Sequence, residues 1–437
     1  MRIALSIAIT EMVSSPNSDE NEKGSCSGSN ETGQGPIISN PEDTYDWDEE
    51  TQGLILSSFY WGYIITHMPG GILAEKFGGK YSLGSVYCRP PFLRYSPRLL
   101  LEQAIGSGCA FSECERSRLG SLTFAGSLLG TVIGNSVSGI LIKETQSWAS
   151  VFYLFGGLGV VWFIIWIFLC YSDPESHPFI SDKEKQFLKK ELANISNGDK
   201  DIPWRAIWTS VPLWALIAAQ IGHDWGFFAM VTDLPKYMKD VLKFRIDENG
   251  IWSSLPYVVM WLVSIGSGWL CDWIIKKKYM TITFARKFFT TIAALGPAIF
   301  IVGAGYSGCD RYLAVGLFTV AMGLMGTFYC GMKVNALDLS PNFAGTLMAI
   351  VNGMGAISGI ITPYLIGALT MDHSVEQWRL VFWITLGVLV VTNIIYVIFA
   401  SGEAQWWNVP DIDKFATFTR NSDVEFGKKG KNRTTKH

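Results

Sequence analysis

The chain has 437 residues, of which 49% are hydrophobic and only 17% charged, with a mean hydropathy of +0.24. That charge content lies well below the roughly 25% of soluble domains, and a net charge of −3 gives no electrostatic reason for a nucleic-acid partner. Eight cysteines are scattered without a C-x-x-C pair, so neither a zinc site nor a disulfide framework is signalled.

Residues 1–14, MRIALSIAITEMVS, are apolar but would make only about 21 Å of helix against roughly 30 Å of hydrocarbon. They read as the second half of a first membrane helix. A signal peptide is the alternative, but its basic region would be one residue and no convincing cleavage site follows. Residues 15–50 hold ten Asp or Glu and one Lys, the composition of a flexible lumenal or extracellular loop. Within it, Asn30-Glu31-Thr32 is an N-glycosylation sequon. A span is expected at 54–74. Residues 85–118 are anomalous: five Arg, three Pro and no long apolar run, so they cannot cross a membrane in the usual way. Spans resume at 119–142 and 149–171. A basic-leaning stretch, 172–208, follows, with an amphipathic helix expected at 182–194. Further spans are expected at 209–231, 250–271, 286–305, 312–333, 343–369 and 378–400. The polar tail, 401–437, ends in GKKGKNRTTKH and is expected to be disordered. The expected fold class is an all-α membrane protein. Its N-terminal half is 1–171, its cytoplasmic central loop 172–208, its C-terminal half 209–400 and its cytoplasmic tail 401–437.

Residues 61–80, WGYIITHMPGGILAEKFGGK, pass from apolar helix to a glycine-rich basic loop. Gly71 and Glu75 have the spacing of Gly268 and Asp272, and Lys276, Lys277 and Lys278 follow the second pair. One pattern used twice suggests two related halves, although any helix end on the cytoplasmic side gathers Gly and Lys. The first copy, G-x-L-A-E-K-x-G-G-K, resembles the signature loop of the major facilitator superfamily, with Glu where Asp is commoner. That resemblance implies two six-helix halves around a central site.

From residue 119 onward the resemblance narrows. ERSRLGSLTFAG (115–126), PWRAIWTSVPLWAL (203–216), DWGFFAMVTDLPKYMKDVLKF (224–244), VNALDLSPNFAGTLMAIVNGMGAISGIITP (334–363) and FASGEAQWW (399–407) are similar to the solute carrier 17 group. This is the sialin, vesicular glutamate and sodium–phosphate cotransporter type, and the insect phosphate-cotransporter members are the most alike. Two departures stand out. The first helix opens at an Arg, without its front half, and residues 85–114 stand where the third and fourth helices belong.

The resemblance implies roles for particular residues. Arg2 matches a first-helix Arg that attracts the substrate anion. A guanidinium fixed near mid-membrane is a ready partner for carboxylate or phosphate; the plain alternative is a solvated helix end. His223 stands where some members of the group place a seventh-helix Arg, and it is either an anion partner or a packing histidine. Asn352, within a Gly-rich helix, could line the cavity. Asp224 and Glu11 are candidates for the co-ion. Glu75, Lys76, Lys80 and, as the weaker mirror, Asp272 are gating candidates, each with the alternative of a plain helix end. His67 reads as packing. Asn335, Asp338, Pro341 and Pro363 belong to the stretch that resembles the tenth and eleventh helices. Lys333 is expected to snorkel to the interface, and Gly353, Gly355 and Gly359 to permit close helix packing.

The reading is a symporter of small organic or inorganic anions, coupled to sodium or protons, in the plasma membrane or a lysosomal or vesicular membrane. Beyond the coupling ion it needs no cofactor, metal or nucleic acid; its partners are the small anion and the bilayer. No triad, phosphate-cradling loop or metal-ligand cluster is visible, so it is not read as an enzyme. The rival reading, carried by 85–114, is a non-transporting membrane protein with only interaction roles.

Overall fold

The described residues of this computed structural model are 47–77, 116–169, 202–242, 246–308, 310–371 and 374–408, with Leu5, Ala8, Ile9, Met12, Tyr45, Ser181, Asp182, Gln186 and Phe244. Helices α1 (Glu49–Phe77), α2 (Arg116–Thr145) and α3 (Ala149–Leu169) are followed by a short α4 (Trp204–Trp208). Then come α5 (Val211–Phe228), α6 (Leu234–Asp240), α7 (Ile246–Trp252), α8 (Leu255–Lys276) and α9 (Ile282–Gly305). The last are α10 (Arg311–Met325), α11 (Val334–Leu339), α12 (Ala344–Leu369) and α13 (Val375–Phe399). Each expected span from 54 onward coincides with a helix, or a pair of helices, to within a few residues. Among the described residues, five helical runs are long and apolar enough to cross a bilayer: Glu248–Lys276, Ile282–Gly305, Arg311–Leu339, Ala344–Leu369 and Val375–Phe399.

Local chemistry sets the helix ends. Thr281, Asp310 and Ser374 sit at the N-caps of α9, α10 and α13, and their side chains accept from the backbone N–H of Phe284, Leu313 and Gln377. Each satisfies one of the donors that a first turn leaves without a partner. Asp48 does the same for α1, accepting from Thr51 N at 2.9 Å. Its hydrogen bonds with Thr51 hold the Asp48 carboxyl below the usual carboxylate range.

Two helices continue where hydropathy suggested a stop. α5 passes through a π turn, Ala229–Asp233, into α6, and α10 passes through a 3₁₀ turn, Gly326–Phe328, and a π turn, Tyr329–Lys333, into α11. A π turn alters hydrogen-bond spacing without altering composition, so hydropathy does not register it. The expectation for the tail is corrected at its start. Residues 401–408 are packed on the helices: Gly402 N donates to Thr283 Oγ1, Gln405 N to the Leu339 carbonyl, and Trp407 is buried.

Among the described residues, the two halves meet along two seams, and α2 also packs against the π turn Tyr329–Lys333 and α11. In the first, α1 crosses α12 with glycine at the contacts. A Cβ at Gly53 would stand 2.6 Å from the Pro363 carbonyl oxygen, and one at Gly359 would stand 2.3 Å from the Tyr60 ring. Tyr60 also packs on Phe228 of α5, ring centroids 4.6 Å apart, and Tyr364 Oη donates to Glu50 Oε1 at 2.9 Å. The second seam joins α2 to the α7–α8 corner. Ser136 Oγ donates to Ser254 Oγ at 2.9 Å, and a Cβ at Gly250 would stand 3.0 Å from the Asn135 carbonyl oxygen. These particular contacts lie toward the end of the bundle that carries Glu50, the acidic end, away from Lys276–Lys278 at the basic end.

Small residues let membrane helices approach closely where no water-driven collapse holds them. Gly53→Val inserts branched carbon against a backbone carbonyl. It should destabilise the fold by about 1–3 kcal/mol, read as a lowered unfolding midpoint of the purified protein in detergent. Gly62→Ala, where a Cβ meets nothing within 4 Å, should leave the midpoint near that of the parent chain.

Candidate functional site

Polar side chains gather where α5, α12 and the π turn of α10 converge. Gln220 Nε2 on α5 donates to Asp224 Oδ2 at 2.8 Å. Both side chains rest on the bare backbone of Gly355 in α12, where a Cβ would stand 2.4 Å from Asp224 Oδ2. Lys333, the last residue of the π turn, is only 7% exposed, and its Nζ donates to Asn352 Oδ1 of α12 at 2.5 Å. His223 lies under the Phe328 ring, centroids 3.5 Å apart and planes within 3°. Its Nδ1 is buried without a hydrogen-bond partner. It lines a cavity of about 10 Å³ with Thr290, Phe328, Thr392 and Asn393 among others, room for about one water.

Toward the basic end, one arginine ties three helices. Arg286 of α9 is 2% exposed, and its Nε lies 2.7 Å from Asp338 Oδ2 of α11. Its Nη1 donates to the Cys330 carbonyl at 2.6 Å and to Cys271 Sγ of α8 at 3.5 Å. The Cys330 carbonyl belongs to the π turn. Gly331 beside it has non-helical dihedrals, φ −83° and ψ −106°, and a Cβ there would stand 2.6 Å from Thr290 Oγ1 and 2.9 Å from its backbone nitrogen. The turn therefore needs glycine in order to press against α9. Nearby, Asn335 Nδ2 donates to Tyr396 Oη of α13 at 2.9 Å.

Of the expected site residues, His223, Asp224 and Asn352 are buried or half-buried in this region. Asp224 is paired within its own helix and His223 faces the water-sized cavity. Asp272 is buried on α8 beside Cys271, whereas Lys276 is exposed. Glu75 and Lys76 lie in the last turn of α1, and their side chains are outside the described residues, as is that of His67. Arg2, Glu11, Asn30 and Lys80 also lie outside the described residues. The expectation for Lys333 is corrected: it does not snorkel, because the π turn directs it to Asn352. Sequence reasoning missed Arg286, which it took as the first residue of an apolar run. The signal was there, since an ionisable residue within a membrane span marks function or a buried partner.

The Major Facilitator Superfamily model matches residues 110–363, and the chain belongs to that superfamily of membrane transporters. Within it, the chain is of the solute carrier 17 type. It is 37% identical to sialin of Homo sapiens, the match covering 94% of this chain and 88% of that one. It is also 37% identical to the Drosophila melanogaster "Putative inorganic phosphate cotransporter", covering 87% and 77%. Identity with vesicular glutamate transporter 2 of Homo sapiens is 33%, covering 84% and 68%. Among solved structures, a D-xylose–proton symporter superposes with a TM-score of 0.56 at 13% identity, over 92% of this chain and 98% of that one. At that identity it supports the fold alone.

Removing one partner of a buried ion pair strands the other charge at a cost of about 3–5 kcal/mol, whereas replacing both by apolar groups is often neutral. Arg286→Met and Asp338→Leu should each lower the unfolding midpoint sharply. The double variant should recover most of the loss. Two independent, additive losses would show that the ion pair does not hold these helices.

Proposed function

We propose that this chain is a secondary active transporter of small anions, organic or phosphate, driven by a sodium or proton gradient. The reading assigns the basic end to the cytoplasm, following the excess of Lys there, and the acidic end to the outside or a lumen. It places the protein in the plasma membrane or a lysosomal or vesicular membrane. One observation carries most of it: the two halves are packed together at the acidic end, while buried polar and cationic groups lie deeper at the surface the halves share. That is the arrangement expected of one state of an alternating-access carrier, in which the halves rock around a central site. The names of the relatives point to anionic cargo.

In this reading Arg2 and His223 supply positive or hydrogen-bonding groups to the anion, and Asn352 an amide. Asp224 and Glu11 are the carboxyls available to a coupling cation or proton. Glu75, Lys76, Lys80 and Asp272 would form the gate at the basic end, where an ion pair that breaks on opening lets co-ion binding shift the balance of states. Asn30 would carry glycan on the outer face.

Purified protein in liposomes tests this reading. Radiolabelled inorganic phosphate or L-glutamate should accumulate above empty vesicles when a sodium or a proton gradient is imposed, and collapsing that gradient should abolish the excess. No accumulation of either under either gradient would contradict the proposal and favour the non-transporting alternative.

A further inference from the structure

A polar stripe on α2 meets a broken helix of the other half. Leu128, Thr131, Asn135 and Ser138 are buried on one side of α2, the side against which Gly250 of α7 packs. α7 and α8 belong to one apolar run, Glu248–Lys276, which is interrupted at Ser253–Ser254. At the break the Ser254 N–H turns to the Ile251 carbonyl, and the Gly250 carbonyl takes the Ser254 hydroxyl instead, at 2.6 Å. The same hydroxyl oxygen accepts from Ser136 Oγ of α2. Carbonyls freed at a break in a membrane helix are ready ligands for ions.

Two amide oxygens are left over beside this break. Asn135 of α2 and Asn249 of α7 are each 1% exposed, and the Oδ1 of each is buried with no hydrogen-bond partner among the described residues. Asn249 Nδ2 donates to the Pro235 carbonyl of α6 at 2.8 Å, which fixes that amide with its oxygen as the spare acceptor. Asn249 adjoins Gly250, whose backbone sits against the Asn135 carbonyl, so the two amides stand at one level of the seam. A buried acceptor without a donor costs free energy, and two at one crossing call for a ligand that oxygens attract. The nearby charge is negative. Glu248, exposed, precedes Asn249, and Glu50 is exposed at the same end, so the field there draws cations rather than anions.

We propose that these oxygens bind a sodium ion across the seam. Asn135 Oδ1 and Ser136 Oγ come from the N-terminal half; Asn249 Oδ1, Ser254 Oγ and the Gly250 carbonyl come from the C-terminal half. Hard cations take neutral and charged oxygens of this kind, and a hydroxyl can turn its proton aside to offer a lone pair. Because the ligands belong to both halves, the ion is held only while the acidic end is closed. Its binding therefore favours that arrangement over the open one, and whatever opens the seam weakens sodium binding by the same factor. The inference rests on the reading of the chain as an ion-coupled transporter and goes beyond it by naming the ion and the oxygens that hold it.

The test is the unfolding midpoint of the purified full chain in detergent, in sodium, potassium or choline chloride at equal ionic strength. Sodium at about 200 mM should raise the midpoint by about 2–4 °C over choline, and potassium should raise it by much less. Asn135→Leu and Asn249→Leu keep the volume and remove the ligand. Each should lose the sodium increment while holding the choline midpoint, since each also removes an unpaired acceptor; an amide with a merely structural role would lower the choline midpoint instead. An equal rise in sodium and potassium, no rise in either, or a sodium increment that both leucine variants keep overturns the assignment. Where neither leucine variant folds, an undiminished increment in Ser136→Ala overturns it. Uptake into proteoliposomes decides the transporter reading separately. Uptake of inorganic phosphate or L-glutamate on a proton gradient, with no sodium increment in the midpoint, overturns this site alone. A parent chain that takes up neither probe overturns the transporter reading, and the coupling role of the site with it.

Discussion

A charge inside a lipid-bounded bundle persists only where the protein supplies its partners, since hydrocarbon offers none. The arrangement around Arg286 answers that constraint. Its guanidinium spends its donors on the Asp338 carboxylate, the Cys330 carbonyl and the Cys271 sulfur, so α8, α9 and the α10–α11 pair are tied at one point. The carbonyl it holds lies in the π turn, and that turn carries Lys333 to Asn352. The position of the second buried cation thus depends on the partners of the first.

The seams between the halves follow from a different economy. Among apolar helices in lipid, contact distance does the holding, and Gly53, Gly250 and Gly359 set that distance at three points on two crossings. Hydrogen bonds such as Ser136–Ser254 and Tyr364–Glu50 add direction with little strength. Bonds of that size suit a surface that must separate. The Arg286–Asp338 pair, buried within one half, suits a body that moves as a unit.

Much of this was legible in the sequence. Apolar runs located the helices because length and hydropathy decide what can span hydrocarbon, and the glycine pattern of α12 announced a close crossing. The loop at 71–80 pointed to the superfamily. The pairings were not legible. Arg286 and Asp338 stand 52 residues apart, and no local pattern joins them. The π turn has no signature in hydropathy, so the rotation that takes Lys333 inward could not be read, and a lysine at the end of an apolar run defaulted to the interface. Trp406 and Trp407 resembled a family stretch, yet only the structure shows the chain around them docked on Thr283 and Leu339.

The central claim is that the closed acidic end is one of two arrangements of the halves around a cationic site. Pulsed electron resonance distances between spin labels at Leu54 on α1 and Ile361 on α12, both exposed, test it most directly. The labels would be placed in a cysteine-depleted chain in nanodiscs, with and without the transported anion and the coupling ion. The account predicts a short-distance population and a longer one, with their ratio shifted by anion and ion. A single distance, unmoved by either, would contradict it.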